Sequence, residues 1–361
     1  MKVIALKRVV SLNSSLRIPG TKKVLILYLR MPDMRAILYE RRGIDNLELR
    51  EVPEPRVGDN EVKLRVLKAS INPVDLMSVE VLSVSPIPHI PGSEFFGVVE
   101  EVGKGVTHVS PGDRVAVYTR LFDGSCESCL RGRQTYCVNG KRIGVETQGG
   151  YAEEIVVPAR NVMRSSLRDE ILASLPIAIL TPYHALKLAQ VNPQDLVVVL
   201  GASGNTGMFL IQLAKIMGAT VVAVSTKAWV KDFNPDIVVD YVNAEEVIKE
   251  FTQGKMASVV VNSLGQEYWD LAFKLVGNYG RIITYGAITG GKAQLDVNKL
   301  YLKHVTLLGT NRGDMGDFIE LLTLASKLKV RTWRTFRLED IKEAFLSFKE
   351  GRRDGRIFLS P

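Results

Sequence analysis

The sequence predicts an α/β protein: a doubly wound parallel sheet of six strands, joined to a second region of short antiparallel strands. Three observations carry this. Residues 196–224 read as strand, tight glycine turn, helix and strand. Apolar runs at 220–224, 236–240, 257–261, 280–285 and 304–309 then alternate with helical stretches. From Met34 to about Pro158 the apolar runs are short and broken by Gly, Pro and Asp.

The first region holds candidate strands Arg35–Tyr39, Glu61–Ser70, Phe96–Val102, Asp113–Tyr118 and Tyr151–Val157. Turn signals such as Pro111-Gly112-Asp113 lie between them, a pattern that suits an antiparallel barrel or sandwich. The run Leu196–Leu200 stops at Gly201 and opens the loop Gly201, Ala202, Ser203, Gly204, Asn205, Thr206, Gly207. A helix runs on to Met217 and Gly218 ends it, before Thr220–Val224. Such glycines let backbone approach a pyrophosphate, and a helix start offers free N–H groups and a positive dipole end. The loop therefore reads as a dinucleotide site; a glycine-rich turn between buried strands is the simpler alternative. The tail contains one amphipathic helix (Ile341, Ala344, Phe345, Phe348) and a last strand, Arg356–Leu359, expected to return to the first region.

The end of the second strand bears on the cofactor. NAD sites usually place an acid about 20 residues past the loop, on the ribose 2′-hydroxyl. Here Ser225, Thr226 and Lys227 stand there, with Lys231 beyond and no carboxylate before Asp232. Hydroxyls and lysine suit a 2′-phosphate, which an acid would repel, so NADP(H) is expected.

Composition narrows the class. At 361 residues two domains are expected, and 46% apolar with 24% charged residues is ordinary for a soluble globular protein. No apolar run approaches the roughly 18–20 residues needed to cross a bilayer, so no membrane partner is expected. Three cysteines, all between 126 and 137, argue against a disulfide framework and for a reducing, cytoplasmic setting. Residues 1–33 hold seven lysines and arginines against one aspartate, so they carry most of the net +8. No nucleic-acid partner is inferred from that charge. The segment has the basic, acid-poor look of a targeting peptide; an upstream translation start, with Met34 as the natural first residue, is the blander account.

Read together, several stretches resemble the medium-chain dehydrogenase/reductase superfamily across 34–361: LKASINPVD (67–75), HIPGSEFFGVVEEVG (89–103), PGDRVAVY (111–118), CESCLRGRQTYC (126–137), GGYAEEIVVPARN (149–161), LTPYHAL (180–186), the glycine loop and NYGRIITYG (278–286). The resemblance implies a GroES-like β-barrel catalytic domain (34–160 and 325–361) beside a Rossmann NADP(H)-binding domain (161–324), with residues 1–33 as an extension. It implies a small-molecule substrate in the cleft between the domains and a homo-oligomer, dimer or tetramer. It adds Thr181, Gly286, Ala287 and Thr310 to the cofactor-binding set.

In zinc-dependent members the catalytic ion is held by Cys, His, a nearby Glu and a second Cys. By resemblance those places are Asn72, Ser93, Glu94 and Ile177, and the neighbouring proton-relay hydroxyl is Val74. A catalytic zinc takes about three N, S or O ligands, which this set does not offer. The Asn-Pro-Val-Asp of 72–75 resembles instead the quinone oxidoreductase and enone reductase branch. Hydride transfer from NADPH to an activated double bond or a quinone needs alignment, a polar group on the carbonyl and a proton source. Candidate catalytic residues are Asn72, Asp75, Ser93 and Glu94; for Asp75 and Glu94 structural hydrogen bonding is the competing reading. Residues 76–88 lack the tyrosine acid of some enoyl reductases, so Tyr118 and Tyr183 are substitutes, and His184 is a base or a satisfied histidine. Asp123, Cys126, Cys129 and Cys137 follow the spacing of the family's structural zinc lobe, with Asp in the first ligand's place. The expected function is an NADPH-dependent reductase of quinones, enones or 2-enoyl thioesters. The alternatives are an alcohol dehydrogenase of the same superfamily and a non-catalytic NADPH-binding protein.

Overall fold

A computed structural model describes residues 33–361. The basic N-terminal extension, apart from Asp33, lies outside the described residues.

The first part of the chain is β-rich. It comprises β1 (Asp33–Leu38), β2 (Glu48–Pro53), β3 (Glu61–Ser70), α1 (Pro73–Glu80), β4 (Phe95–Val102) and β5 (Arg114–Val117). There follow β6 (Arg120–Leu121), α2 (Glu127–Leu130), β7 (Lys141–Arg142), β8 (Glu154–Pro158) and β9 (Val162–Arg164). Helices α3 (Asp169–Leu172) and α4 (Leu180–Leu188) lead into an alternating series. That series runs β10 (Leu196–Leu200), α5 (Gly207–Ile216), β11 (Thr220–Val224), β12 (Ile237–Val239), α6 (Ala244–Phe251), β13 (Ala257–Asn262) and α7 (Trp269–Leu275). It continues with β14 (Val276–Thr284), α8 (Val297–Leu302), β15 (Thr306–Gly309) and α9 (Met315–Leu324), and the tail adds β16 (Thr332–Arg337), α10 (Ile341–Lys349) and β17 (Arg356–Ser360).

Strands β12-β11-β10-β13-β14-β15 form one parallel sheet in that order. The order reverses between β10 and β13, which is where open α/β sheets place a ligand, beyond the carboxyl ends of the strands. Val197–Val199, Val221, Val222 and Val259–Val261 are wholly buried. Continuous β-branched runs of this kind belong to a sheet covered on both faces. Phe209, Leu210 and Leu213 of α5 pack among them.

The second sheet runs β16-β17-β3-β4-β5-β9, with β8 also on β3. The tail does return to it: β17 pairs antiparallel with β3, Phe358 opposite Ser70 and Leu359 opposite Ala69. Strand β16, which the sequence did not announce, lies parallel to β17. No helix among the described residues is long and apolar enough to cross a membrane.

Candidate active site and metal-ligand cluster

The site is assembled where β3 ends. Asn72 leaves the strand in an extended conformation and caps α1, with Pro73 in the first helical turn. The Asp75 carboxylate reaches back to the Asn72 N–H at 2.8 Å, as an acid at the third helical position can. Its other oxygen accepts the Ser93 N–H at 2.8 Å and the Ser93 hydroxyl at 2.7 Å. Burial pushes the Asp75 acid up to about 6, against the pull of those three bonds.

Glu94 stands next to Ser93 and is fully engaged. Its Oε1 accepts the N–H groups of Ile177 and Ala178, at 2.7 and 2.8 Å. Its Oε2 meets the Ser70 hydroxyl at 2.5 Å, the Asn72 amide at 2.6 Å and the Arg356 guanidinium at 2.6 Å. The Asn72 side-chain oxygen in turn accepts from Asn205 at 3.1 Å. The structure thus brings Asn72, Asp75, Ser93 and Glu94 together, as one closed cluster in which none is more than 1% exposed.

The glycine loop lies against this cluster. Gly201 has φ +77°, a conformation that side chains resist. A Cβ on Gly207 would lie 2.3 Å from the Gly201 carbonyl oxygen, so α5 starts where only glycine fits. No acceptor among the described residues meets the backbone N–H groups of Ser203, Asn205 and Thr206, which leaves donors for an anion. The Asn205 amide also donates to Ile71 O at 2.8 Å, tying the loop to the end of β3. Thr181 is buried. Gly286 packs on Ser263, and Thr310 keeps a buried hydroxyl with no partner among the described residues, an unmet polar atom of the kind a bound cofactor satisfies. These features fit a dinucleotide.

At the end of β11, Ser225 is buried and its hydroxyl accepts the Lys227 N–H at 3.0 Å. Lys227 itself pairs with Asp354 at 2.9 Å. An acid does reach this corner, therefore, but from the tail.

Asp123, Cys126, Cys129 and Cys137 converge, with one ligand atom from each within 4.8 Å of the others. The Asp123 carboxylate is oriented by the N–H groups of Ser125 and Cys126 and by the Asn139 amide, at 2.8, 3.0 and 2.7 Å. Three thiols and a carboxylate at this separation are zinc-competent donors.

The two substitute tyrosines are committed elsewhere. Tyr118 donates to Gly313 O at 2.9 Å, and burial raises its hydroxyl to about 12. Tyr183 donates to Glu320 at 2.6 Å and is likewise raised to about 12, chiefly by burial. His184 Nδ1 lies 2.5 Å from Asp317, the arrangement of a satisfied histidine. Sequence reasoning missed Arg356, Asp354, Arg312 and Arg353, whose guanidinium donates to the Asn205 side-chain oxygen at 3.0 Å. For Arg356 a signal existed: a charge opening the apolar run Ile357–Leu359.

Residues 58–167 match the family described as alcohol dehydrogenase GroES-like domain, and residues 206–327 match zinc-binding dehydrogenase. An NAD-dependent alcohol dehydrogenase of Sulfolobus acidocaldarius is 30% identical over 346 residues, covering 90% of this chain and 99% of the relative. The chain belongs to the medium-chain dehydrogenase/reductase superfamily. Within that superfamily it is also similar to an acryloyl-coenzyme A reductase of Metallosphaera sedula, 29% identical over 323 residues, or 87% of this chain and 96% of the relative. The structure of a thermostable alcohol dehydrogenase from Pyrobaculum aerophilum superposes with a TM-score of 0.86 at 37% identity, over 91% of this chain and all of that one. The fold is thus the superfamily's GroES-like domain with a Rossmann sheet, and the protein is one of its oxidoreductases.

Proposed function

We propose that this medium-chain dehydrogenase/reductase is an NADPH-dependent reductase of quinones, enones or 2-enoyl thioesters that works without a catalytic metal ion. The donor set of the closed cluster carries the reading. Ile177 has no ligand atom in its side chain, the Ser93 hydroxyl is given to Asp75, and Glu94 meets five donors. Asn72 is engaged at both ends of its amide. This set does not fit a catalytic zinc, which requires about three free ligands.

A bound nicotinamide supplies hydride. The protein's part is to hold it and to present the acceptor. The N–H groups of the glycine loop receive the pyrophosphate; Ser225, Thr226 and Lys227 receive a 2′-phosphate, for which Lys227 exchanges Asp354. Asn72, Asp75, Ser93 and Glu94 fix the loop between β3 and α1 against Asn205, and so set the floor of the cleft. Asp123, Cys126, Cys129 and Cys137 fit a structural zinc. The unpaired cysteines accord with a reducing, cytoplasmic setting. A homodimer or tetramer is supported by the free edge of β15 beside exposed Val297, Tyr301 and Leu302 on α8, and light scattering on the purified protein tests it.

Alcohol oxidation is the second reading, favoured by the names of several relatives. Purified protein offered NADPH or NADH with cyclohexenone, acryloyl-coenzyme A and a benzoquinone, and NADP+ or NAD+ with simple alcohols, separates the two. Loss of 340 nm absorbance with an unsaturated acceptor supports the reductase; metal-dependent alcohol oxidation alone refutes it.

A further inference from the structure

We propose that Arg312 receives the carbonyl oxygen of the substrate and holds the negative charge that develops there as hydride arrives; this rests on the reductase reading above. Arg312 follows the carboxyl end of β15, the side of the parallel sheet on which a ligand binds, two residues past Thr310. Only 7% of the residue is exposed, so its guanidinium is taken out of bulk water. Among the described residues its one side-chain hydrogen bond runs from Nη1 to the Thr119 hydroxyl at 2.9 Å, across to the GroES-like domain. Among the described residues no carboxylate lies within ion-pairing distance of it. Nε and Nη2 have no partner among the described residues, yet they are not among the atoms sealed from solvent. Arg312 also has φ +56°, a strained value for a side-chain-bearing residue and a frequent mark of functional positions.

A buried arginine kept for structure finds an acid, as Arg356 finds Glu94. Arg312 has only a neutral hydroxyl. An isolated buried cation is costly, and an arriving anion relieves that cost. Through Thr119 it stands against the segment of Tyr118 and Arg120, and burial pulls its guanidinium down only to about 10, so it stays charged at neutral pH.

The step balances as follows. Hydride brings an electron pair to the β-carbon. The C=C π pair moves into the bond between the α-carbon and the carbonyl carbon, and the C=O π pair moves to oxygen. The resulting enolate oxygen accepts hydrogen bonds from the Arg312 N–H groups, and no proton leaves the guanidinium. Water gives a proton to the α-carbon and the carbonyl re-forms, so the substrate gains two hydrogens while the nicotinamide is oxidised.

The test compares wild type with R312K, R312M and R312A on the acceptor that wild type reduces best. R312M and R312A are expected to lose about 10²–10³-fold in kcat, with no fall in the melting temperature of R312M and with unchanged NADPH affinity. Added guanidinium is expected to restore R312A about tenfold and leave R312M unmoved, which a structural role would not produce. An R312M kcat within about threefold of wild type, or a change confined to the acceptor's KM, overturns the proposal. If wild type reduces no acceptor, the reductase reading falls, and acetate titrated into the NADP+-loaded protein decides Arg312. Acetate binding that R312M loses supports the anion site; equal binding in both variants removes it.

Discussion

Arg356 and Glu94 form an ion pair in which neither side chain is exposed at all, Nη2 lying 2.6 Å from Oε2. The same Arg356 nitrogen reaches the Ser70 hydroxyl at 2.6 Å. The pair therefore links β17, the end of β3 and the turn before α4. Glu94→Ala leaves a buried guanidinium without its acid and is expected to destabilise the fold by about 3–5 kcal/mol, read from the denaturant midpoint. A change below about 1 kcal/mol would show that the pair is dispensable.

Asp75 gives a pH signature. Its acid sits at about 6 in the folded chain against an ordinary 3.8, because burial disfavours the charge. The folded state thus holds more protons between those values than the unfolded chain does. This group's contribution to stability is greatest below about 4 and falls as pH rises toward 6. The steepest slope is about 1.4 kcal/mol per pH unit. Asp75→Asn is expected to flatten that part of the stability profile in urea titrations from pH 4 to 7. An unchanged slope in the variant would assign the dependence to another group.

The Cys lobe is expected to carry about one zinc per chain by elemental analysis. Chelation is expected to lower the melting temperature by about 5–10 °C, since a metal that binds only the folded lobe stabilises it. Cys126→Ser should reproduce the loss and remove the chelator's effect. Metal-free protein with the same melting temperature as the zinc form would refute a structural role.

Lys227 is expected to separate the two cofactors. Lys227→Ala removes a cation from the end of β11 and is expected to raise KM for NADPH about fivefold while leaving NADH unaffected. Asp354→Asn frees Lys227 from its present partner and should move KM for NADPH the other way. Equal effects of Lys227→Ala on both cofactors would remove the phosphate-selective role.

Much of this was legible in the sequence because it is local. The strands at 196–200 and 220–224 match their runs residue for residue, since a buried parallel strand is a continuous apolar stretch with sharp ends. Strand β14 begins at Val276, four residues before its apolar run. Val276 pairs with Ala257 before the register shifts, an irregular start that the apolar run does not mark. The Cys cluster was visible as spacing. What sequence could not give is pairing between distant positions. Asn205 meets Asn72 across 133 residues, and Asp354 meets Lys227 from a tail segment with no periodic pattern. Arg312 was illegible for another reason: burial without a counter-charge is a property of the assembled cleft.

The link between Arg356 and Glu94 also orders events in time. Glu94 leaves the ribosome 262 residues ahead of its partner. At about 5–20 residues per second, the acid waits roughly 13–50 seconds for its cation. All six strands of the parallel sheet are synthesised within that interval, so the Rossmann half can organise while the GroES-like half still lacks β17. Closure of the second sheet thus comes late in translation, with the strand that brings Arg356 to Glu94.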